Sequence, residues 1–319
     1  MIGKRIEEID TAKGIGILCV MFGHCITLMS NPVNVFVLSF HMPLFFFLSG
    51  MVLNKEQPTK VFIKRKIKSL GTAMIAAYGM YILMGWLVDV FWLKNESIVT
   101  FDYVRGLNNW FIITLCISII AVKVVNKRKI YVFTVVLAYL LFLKFRGGTY
   151  VPYMYIEQSL LAYVFISLGL LLGEKLMEIM KNNKAVCFEN GMVFFVILNF
   201  IAQYNGPCAM AANMYGKNKI FFTITSVLGI IAVLNISMCG IKSELLDTCG
   251  RNSMIIFVTH FSALKLITSI WTEISKYQYV EYPWYIIVFT ILLMVELGII
   301  WLFKKCQMGL ENIRYYKDE

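Results

Sequence analysis

The chain has 319 residues, of which 59% are hydrophobic and only 15% are charged, and its formal net charge is +11 at pH 7. Its mean hydropathy is +0.71. A soluble domain has about 45–50% apolar and about 25% charged residues, so this composition excludes an ordinary soluble protein and indicates a chain embedded in lipid.

Apolar runs follow one another along almost the whole chain. A helix that crosses a hydrocarbon core of about 30 Å needs about 17–25 mostly apolar residues. We predict ten transmembrane helices, with nine or eleven as the open alternatives. The predicted helices cover 14–30, 34–53, 70–93, 108–125, 130–145, 155–173, 186–203, 219–240, 253–272 and 283–303.

The basic residues are distributed unevenly among the loops of this arrangement. Lysine and arginine near helix ends are retained on the cytoplasmic side, and with the N-terminus inside, most of the 30 basic residues fall in the inner segments. We therefore predict that both termini face the cytoplasm. The net charge then reflects topology and attraction to membrane lipids, and it gives no indication of nucleic acid binding.

The eight cysteines do not form a metal or disulfide pattern. None stands in a C-x-x-C pair and most lie within apolar runs, which is typical of small buried hydrophobes. The sequence therefore predicts no metal site.

The three histidines of the chain all lie within predicted helices. With a rise of 1.5 Å per residue, His24, His41 and His260 lie about 15, 10 and 10 Å from the first residue of their predicted helices, in one central slab of the membrane. Ionisable groups at this depth are costly and mark functional sites. A packing histidine that binds a carbonyl of a neighbouring helix is the alternative for each one alone. Three at one depth favour a polar cavity.

The first helix has a polar stripe that leads toward His24. At about 100° per residue, Lys13 and His24 differ by about 20° in direction. Together with Asp10 and Ile17 they predict a stripe from the cytoplasmic mouth to the middle of the membrane. Three glycines would let neighbouring helices or a ligand approach this helix closely: Gly14, Gly16 and Gly23.

The second helix carries FHMPLFFFLSG, which starts at Phe40. Pro43 removes a backbone donor and predicts a kink two residues from His41. The carbonyl that it frees has to be satisfied by protein or by a water-filled cavity. A bend that serves only packing is the alternative.

The segment KVFIKRKIKSL follows at the predicted cytoplasmic face and contains Lys64, Arg65 and Lys68. Topology alone accounts for basic residues here. The sharper interpretation is that they bind the phosphates of a nucleotide-containing cofactor, together with Lys13.

Taken together, KGIGILCVMFGH, FHMPLFFFLSG and the basic KRKIKSL segment resemble the acyltransferase-3 family, including its fucose O-acetylase-like branch. Three later elements are similar to that family's W-F-L, mid-chain glycine and G-x-x-S…H elements: Asn109 to Ile112, Phe165 to Gly169, and Gly250 to His260.

The resemblance implies an all-α integral membrane bundle of about ten helices, as a single domain over 1–319 with no appended soluble domain. It also implies transfer of an acyl group, usually acetyl from acetyl-CoA, to a hydroxyl of a carbohydrate. The family's arginine-x10-histidine motif falls on Lys13 and His24. Lysine, usual in the fucose-acetylase-like branch, keeps the charge but loses the planar fork of arginine. Gly71 stands where many members have a proline.

Acetyl transfer to an alcohol needs a base, because the hydroxyl is scarcely ionised at neutral pH. His24 is the predicted general base. His41 and His260 complete the predicted catalytic set; they would orient His24, bind the acceptor or stabilise the oxyanion. Polar residues near the cavity are predicted to bind the substrate: Asp10, which would also pair with Lys13 or Arg5, and Asn109, Trp110, Glu157 and Gln203. Glu296 is an intramembrane carboxyl without an assigned partner.

The predicted path admits acetyl-CoA from the cytoplasm and a carbohydrate from outside the cell membrane; a lipid-linked sugar on the inner leaflet is the alternative acceptor. Mid-membrane histidines also suit a transporter of a small polar solute or amino acid. A third interpretation is a non-catalytic membrane subunit. The sequence also leaves open whether the protein forms a homodimer.

Overall fold

A computed structural model describes residues 6–26, 28–91, 110–145, 155–181, 184–275 and 283–318. Within these ranges the chain is helical apart from loops and one short hairpin. The helices are α1 (Glu7–Cys25), α2 (Pro32–Leu38), α3 (His41–Met51), α4 (Thr59–Phe91), α5 (Trp110–Val125), α6 (Tyr131–Lys144), α7 (Ile156–Met180), α8 (Lys184–Asn205), α9 (Lys219–Met238), α10 (Glu244–Arg251), α11 (Ser253–Ser275) and α12 (Trp284–Asp318). The hairpin consists of β1 (Cys208–Ala209) and antiparallel β2 (Met214–Tyr215), joined by the 3₁₀ turn Met210–Ala212.

Six segments are long and apolar enough to cross a membrane, counted over the described ranges. They are Pro32–Met51, Ile156–Met180, Lys184–Asn205, Lys219–Met238, Ser253–Trp271 and Trp284–Cys306. The helices α5 and α6 are shorter apolar helices. The predicted all-α membrane fold is therefore confirmed, whereas the count of ten spans and the cytoplasmic termini stay predictions.

Helix α1 is the centre of the bundle and packs against α2, α3, α9, α10, α11 and α12. Its contact with α10 is a backbone contact. A Cβ on Gly14 would overlap the carbonyl of Leu246, and a Cβ on Gly250 would overlap the carbonyl of Asp10. Two further glycines bring α1 close to α3 and α2: Gly16 and Gly23. The predicted close approach at these glycines is confirmed.

The second predicted helix is interrupted where the sequence predicted a kink. Helix α2 ends at Leu38 and α3 begins at His41, so the break precedes His41 and Pro43 lies in the first turn of α3. A proline is tolerated there because first-turn N–H groups have no partner within the helix. The carbonyl of Ser39, four residues before Pro43, accepts a hydrogen bond from Ser226 Oγ of α9 at 3.0 Å. A neighbouring helix thus satisfies the freed carbonyl, as expected.

Lys123 of α5 is a structural lysine inside the bundle. Its side chain is 1% exposed, and its Nζ donates to the carbonyls of Asn54 at 2.7 Å and Lys55 at 2.9 Å. The ammonium also lies 5.4 Å from the ring centroid of Phe62. These contacts fix the loop between α3 and α4, and therefore the position of the basic segment that follows.

Candidate active site

A cavity of about 490 Å³ lies between α1, α2, α3, α4, α5, α11 and the hairpin. His24, His41 and His260 all line it. They come from three separate helices: His24 lies in the last turn of α1 and not near its middle as predicted, His41 begins α3, and His260 lies in the first half of α11. The predicted sharing of one cavity by the three histidines is confirmed.

His24 is the histidine most open to this cavity. Its side chain is exposed, although its neighbours Gly23 and Cys25 are buried. Its ring centroid lies 5.4 Å from that of His260, with 36° between the planes. The edge of Phe261 packs against His24 at 5.9 Å. The imidazole is therefore held by α11 on one side and reaches open space on the other.

The other two imidazoles are anchored by the same kind of hydrogen bond. His41 Nδ1 donates to the carbonyl of Val37 at 2.8 Å, and His260 Nδ1 donates to the carbonyl of Ile256 at 2.8 Å. A carbonyl only accepts, so Nδ1 carries the proton and Nε2 of each neutral ring keeps a lone pair. The Nε2 of His260 is buried without a hydrogen-bond partner. The Ile256 carbonyl lies on the same helix as His260, whereas the Val37 carbonyl lies on α2, so the bond of His41 spans the α2–α3 break.

The polar stripe predicted on α1 does not form one open path. Asp10 is buried against α10, with its Oδ2 4.0 Å from Arg251 Nε, and Ile17 is 0% exposed. Lys13 is half-buried. The described cavity begins at Val20, about one turn closer to His24 than Ile17.

An aromatic layer, defined as Phe45, Phe111 and Phe257, borders the cavity on the side of the α1 N-terminus. Phe45 packs against Gly16, its ring centroid lies 6.1 Å from that of Phe111, and Phe111 lies 4.9 Å from Phe257. Phe257 itself lines the cavity. Phe45 lies at the level of Gly16 and Phe257 lines the cavity, so the layer lies between the histidines and the end of the bundle that carries Lys13.

The predicted cofactor-binding cations lie at that end and not in the cavity. Burial, Arg65 and Lys13 together lower the pKa of Lys66, so Lys66 lies within electrostatic range of one cation on α1 and one on α4. Lys66, which was not among the predicted cofactor-binding residues, is half-buried, whereas Lys64, Arg65 and Lys68 are exposed.

The predicted substrate-binding residues are dispersed. Trp110 is buried and lines the cavity. Glu157 forms an ion pair with Lys219 outside the cavity wall, and Gln203 is exposed and donates to the carbonyl of Pro32 at 2.7 Å. Asn109 lies outside the described residues.

Two polar residues extend the site beyond the predicted set. Asn34 of α2 lines the cavity, and its Oδ1 has no hydrogen-bond partner. Its position as a polar residue in the predicted helix 34–53 was a sequence signal that could have identified it. Glu296 of α12 is 0% exposed and accepts a hydrogen bond from Thr259 Oγ1 at 2.5 Å. Because Thr259 directly precedes His260, the Glu296 carboxyl lies next to the part of α11 that carries His260.

Six segments of the described residues that are long and apolar enough to cross a membrane, and a cavity lined by three histidines, indicate a multi-pass membrane protein with a histidine-lined cavity. The family model of the acyltransferase-3 domain, described as an acyltransferase domain, matches residues 6–303. The chain therefore belongs to the acyltransferase-3 family, and the resemblance found in the sequence is confirmed. Searches of curated proteins and of solved structures found no match. Family membership supports a membrane acyltransferase.

Proposed function

We propose that this protein resides in the cell membrane and transfers an acetyl group from cytoplasmic acetyl-CoA to a hydroxyl of a cell-envelope carbohydrate, with His24 as general base. The observation that carries the proposal is the exposure of His24 to a cavity in which His260 is its direct neighbour. An acid–base group open to a cavity suits a proton transfer to or from a bound substrate.

In the proposed reaction, the acceptor oxygen attacks the carbonyl carbon of the thioester while His24 takes the hydroxyl proton. The tetrahedral intermediate then collapses, the carbon–sulfur bond breaks, and the sulfur leaves as a thiol with the proton that His24 returns. General-base help of this kind contributes about 10²–10⁴-fold to the rate.

His260 is the proposed orienting partner of His24. With Nδ1 bound to the Ile256 carbonyl, its Nε2 lone pair is available to accept the N–H of His24. That hydrogen bond would fix the tautomer of His24 and stabilise its imidazolium. The same tautomer argument removes neutral His41 and His260 as donors to an oxyanion, so that donor has to be another wall residue. Trp110, whose indole N–H only donates, is our candidate.

The basic cluster of Lys13, Arg65 and Lys66 fits the phosphates of acetyl-CoA. The lowered pKa of Lys66 shows that its charge is partly desolvated and repelled by the neighbouring cations. An anion bound between such cations would relieve this repulsion and be held strongly. The pantetheine arm would then pass the aromatic layer to bring the thioester to His24, an apolar passage suited to an uncharged chain.

The test is acetyl transfer by purified protein in proteoliposomes that are supplied with radiolabelled acetyl-CoA and envelope carbohydrate. We expect His24→Gln, which keeps the size of the side chain but not the base, to lose the labelled product. Trp301→Leu, on the exposed surface of α12, is the matched control. Full activity of the His24 variant would remove the catalytic assignment.

A transporter is the second candidate, because the aromatic layer lies between the cavity and the end of the bundle that carries Lys13. If these rings close that side, the cavity is a solute site with one closed side, which alternating access also requires. Uptake of a labelled solute into proteoliposomes without acetyl transfer would favour the carrier.

A further inference from the structure

The histidine cavity is lined mainly by apolar side chains. The polar side chains among its described lining residues are Asn34, Trp110 and the three histidines. The others, apart from Gly23, carry only alkyl, thioether or phenyl groups, and they include Leu38, Met42 and Met210. A ligand that fills this cavity therefore meets hydrocarbon on most sides, and a few polar groups fix its orientation.

Most of the polar groups in this wall are already occupied or out of reach. Asn34 Nδ2 donates to two carbonyls of the α1–α2 loop, each at 3.4 Å, and Asn34 Oδ1 is buried. The Nδ1 atoms of His41 and His260 donate to backbone carbonyls, and His260 Nε2 is buried beside His24. Among the described lining residues, His24, His41 Nε2 and the Trp110 indole are left for a ligand.

These remaining polar groups are too few for a whole sugar ring. A sugar unit carries several hydroxyls, and a hydroxyl that is buried without a partner is destabilising. The reacting hydroxyl can enter from the open side, where the exposed side chains of His24 and Met29 both line the cavity. The acyl chain, in contrast, is apolar and is bonded directly to the reacting carbonyl. It therefore enters the same space as His24 and matches the rest of the wall.

Met42 and Met210 belong to the buried part of this wall. Both line the cavity, and they are 6% and 4% exposed. Met210 lies in the hairpin turn, which two side chains fix. Asn205 Nδ2 donates to a carbonyl of β2 at 2.9 Å, and Gln158 Nε2 donates to a carbonyl of the turn at 3.4 Å. Methionine is flexible and polarisable and adapts to a hydrocarbon ligand, while the fixed turn limits the length of that ligand.

We propose that the histidine cavity binds an acyl chain longer than acetyl, so that butyryl-CoA and hexanoyl-CoA are better donors than acetyl-CoA. This inference rests on the proposed acyl transfer and concerns only the group that is transferred. The chain lies against Met42 and Met210, with its thioester carbonyl at His24. The hydroxyl oxygen forms the new ester bond, the carbon–sulfur bond breaks, and the hydroxyl proton passes through His24 to the leaving thiol.

The first experiment measures donor binding by calorimetry, in purified protein without an acceptor. The probes are acetyl-CoA, butyryl-CoA and hexanoyl-CoA. Butyryl-CoA should bind about 15-fold more tightly than acetyl-CoA, because it has two more methylenes and each contributes about fourfold when it is buried. Equal affinities of these two thioesters would overturn the proposal. If the two are also displaced by hexyl glucoside but not by methyl glucoside, the cavity binds an apolar part of the acceptor instead.

Two substitutions of Met210 should move the preference in opposite directions. Met210→Trp fills the end of the cavity, so the affinity ratio of butyryl-CoA to acetyl-CoA should fall about fourfold or more, the value of one buried methylene. Met210→Ala lengthens the cavity, so the affinity ratio of hexanoyl-CoA to butyryl-CoA should rise.

Met294→Trp is the matched control, because Met294 is exposed on α12 and does not line the cavity. Each readout is a ratio of affinities within one variant, so partial unfolding does not produce these shifts. Equal ratios in Met210→Trp and Met294→Trp would reject the proposed position of the chain.

The acyl-transfer assay separates this inference from the proposed function. His24→Gln should keep the preference for butyryl-CoA in binding, while it loses the transfer of either group. Acetyl transfer that depends on His24, together with equal binding of acetyl-CoA and butyryl-CoA, would reject the longer chain and leave the acetyltransferase intact. A preference for butyryl-CoA that depends on Met210, in a wild-type protein that transfers no acyl group, would support the binding of the chain and reject the proposed reaction.

Discussion

Replacement of His260 tests the proposed catalytic pair most directly. In the His260→Ala variant the imidazole that lies 5.4 Å from His24 is lost, and with it the Nε2 lone pair that is proposed to accept the His24 N–H. A hydrogen bond to a charged group contributes about 1.5–3 kcal/mol. We therefore expect kcat to fall about 10- to 150-fold, with the KM for acetyl-CoA unchanged, because only the step in which His24 becomes an imidazolium needs this bond.

The assay is steady-state acetyl transfer by wild type, both single variants and the double variant. His24→Ala should lose about 10²–10⁴-fold, and the addition of His260→Ala should change the residual rate little, because His260 acts through His24. His260→Gln, which keeps an acceptor atom, should recover part of the activity.

Two results would refute the catalytic pair. One is a double variant whose loss equals the product of the two single losses, which would make His260 independent of His24. The other is a lower residual rate in His260→Ala than in His24→Ala, which would exchange the roles of the two residues. Thermal unfolding in detergent shows whether each variant is folded.

Three further predictions follow from contacts outside the cavity. Lys66→Ala should raise the KM for acetyl-CoA severalfold, and the control Lys129→Ala should leave it unchanged. In the wild type, the affinity for acetyl-CoA, measured by initial rates, should fall as the pH rises through the lowered pKa of Lys66, because Lys66 then loses its charge. Glu157→Ala should lower the free energy of unfolding by about 3–5 kcal/mol, since it leaves Lys219 without its counter-charge. Adding Lys219→Met should restore most of the lost stability, and a double variant as unstable as Glu157→Ala would contradict the ion-pair explanation. Gly169→Leu should lower the thermal midpoint strongly, because a Cβ there already overlaps the carbonyl of Phe47 on α3, and an unchanged midpoint would contradict the α3–α7 contact.

The sequence was most informative where a residue conflicted with its apolar surroundings. His24, His41 and His260 are costly in a membrane, so their depth alone predicted a shared cavity. Pro43 predicted a freed carbonyl, because proline lacks the N–H that would otherwise bind the carbonyl four residues earlier. These inferences depend on local chemistry and on the rise of a helix.

The sequence was less informative where the partner lies far away along the chain. Glu157 appeared to be a candidate for substrate binding because nothing nearby in sequence reveals its ion pair with Lys219. The angular alignment of Lys13 with His24 was sound, but periodicity does not show that Ile17 is sealed by neighbouring helices. The hairpin from 208 to 215 has too few residues for a periodic pattern, so the cavity wall that it forms emerged only from the structure.

The aromatic layer has a consequence for the energy balance of the cell. A catalyst that meets one reactant on each side of a bilayer risks becoming a leak for protons and ions, which would dissipate the membrane potential. The phenyl rings of Phe45, Phe111 and Phe257 have no hydrogen-bonding groups, so they offer no chain of hydrogen bonds along which a proton could travel. In the proposed reaction a flexible, uncharged acyl arm would part these rings and a hydrated ion would not, so the same three side chains would admit the acyl donor and exclude ions.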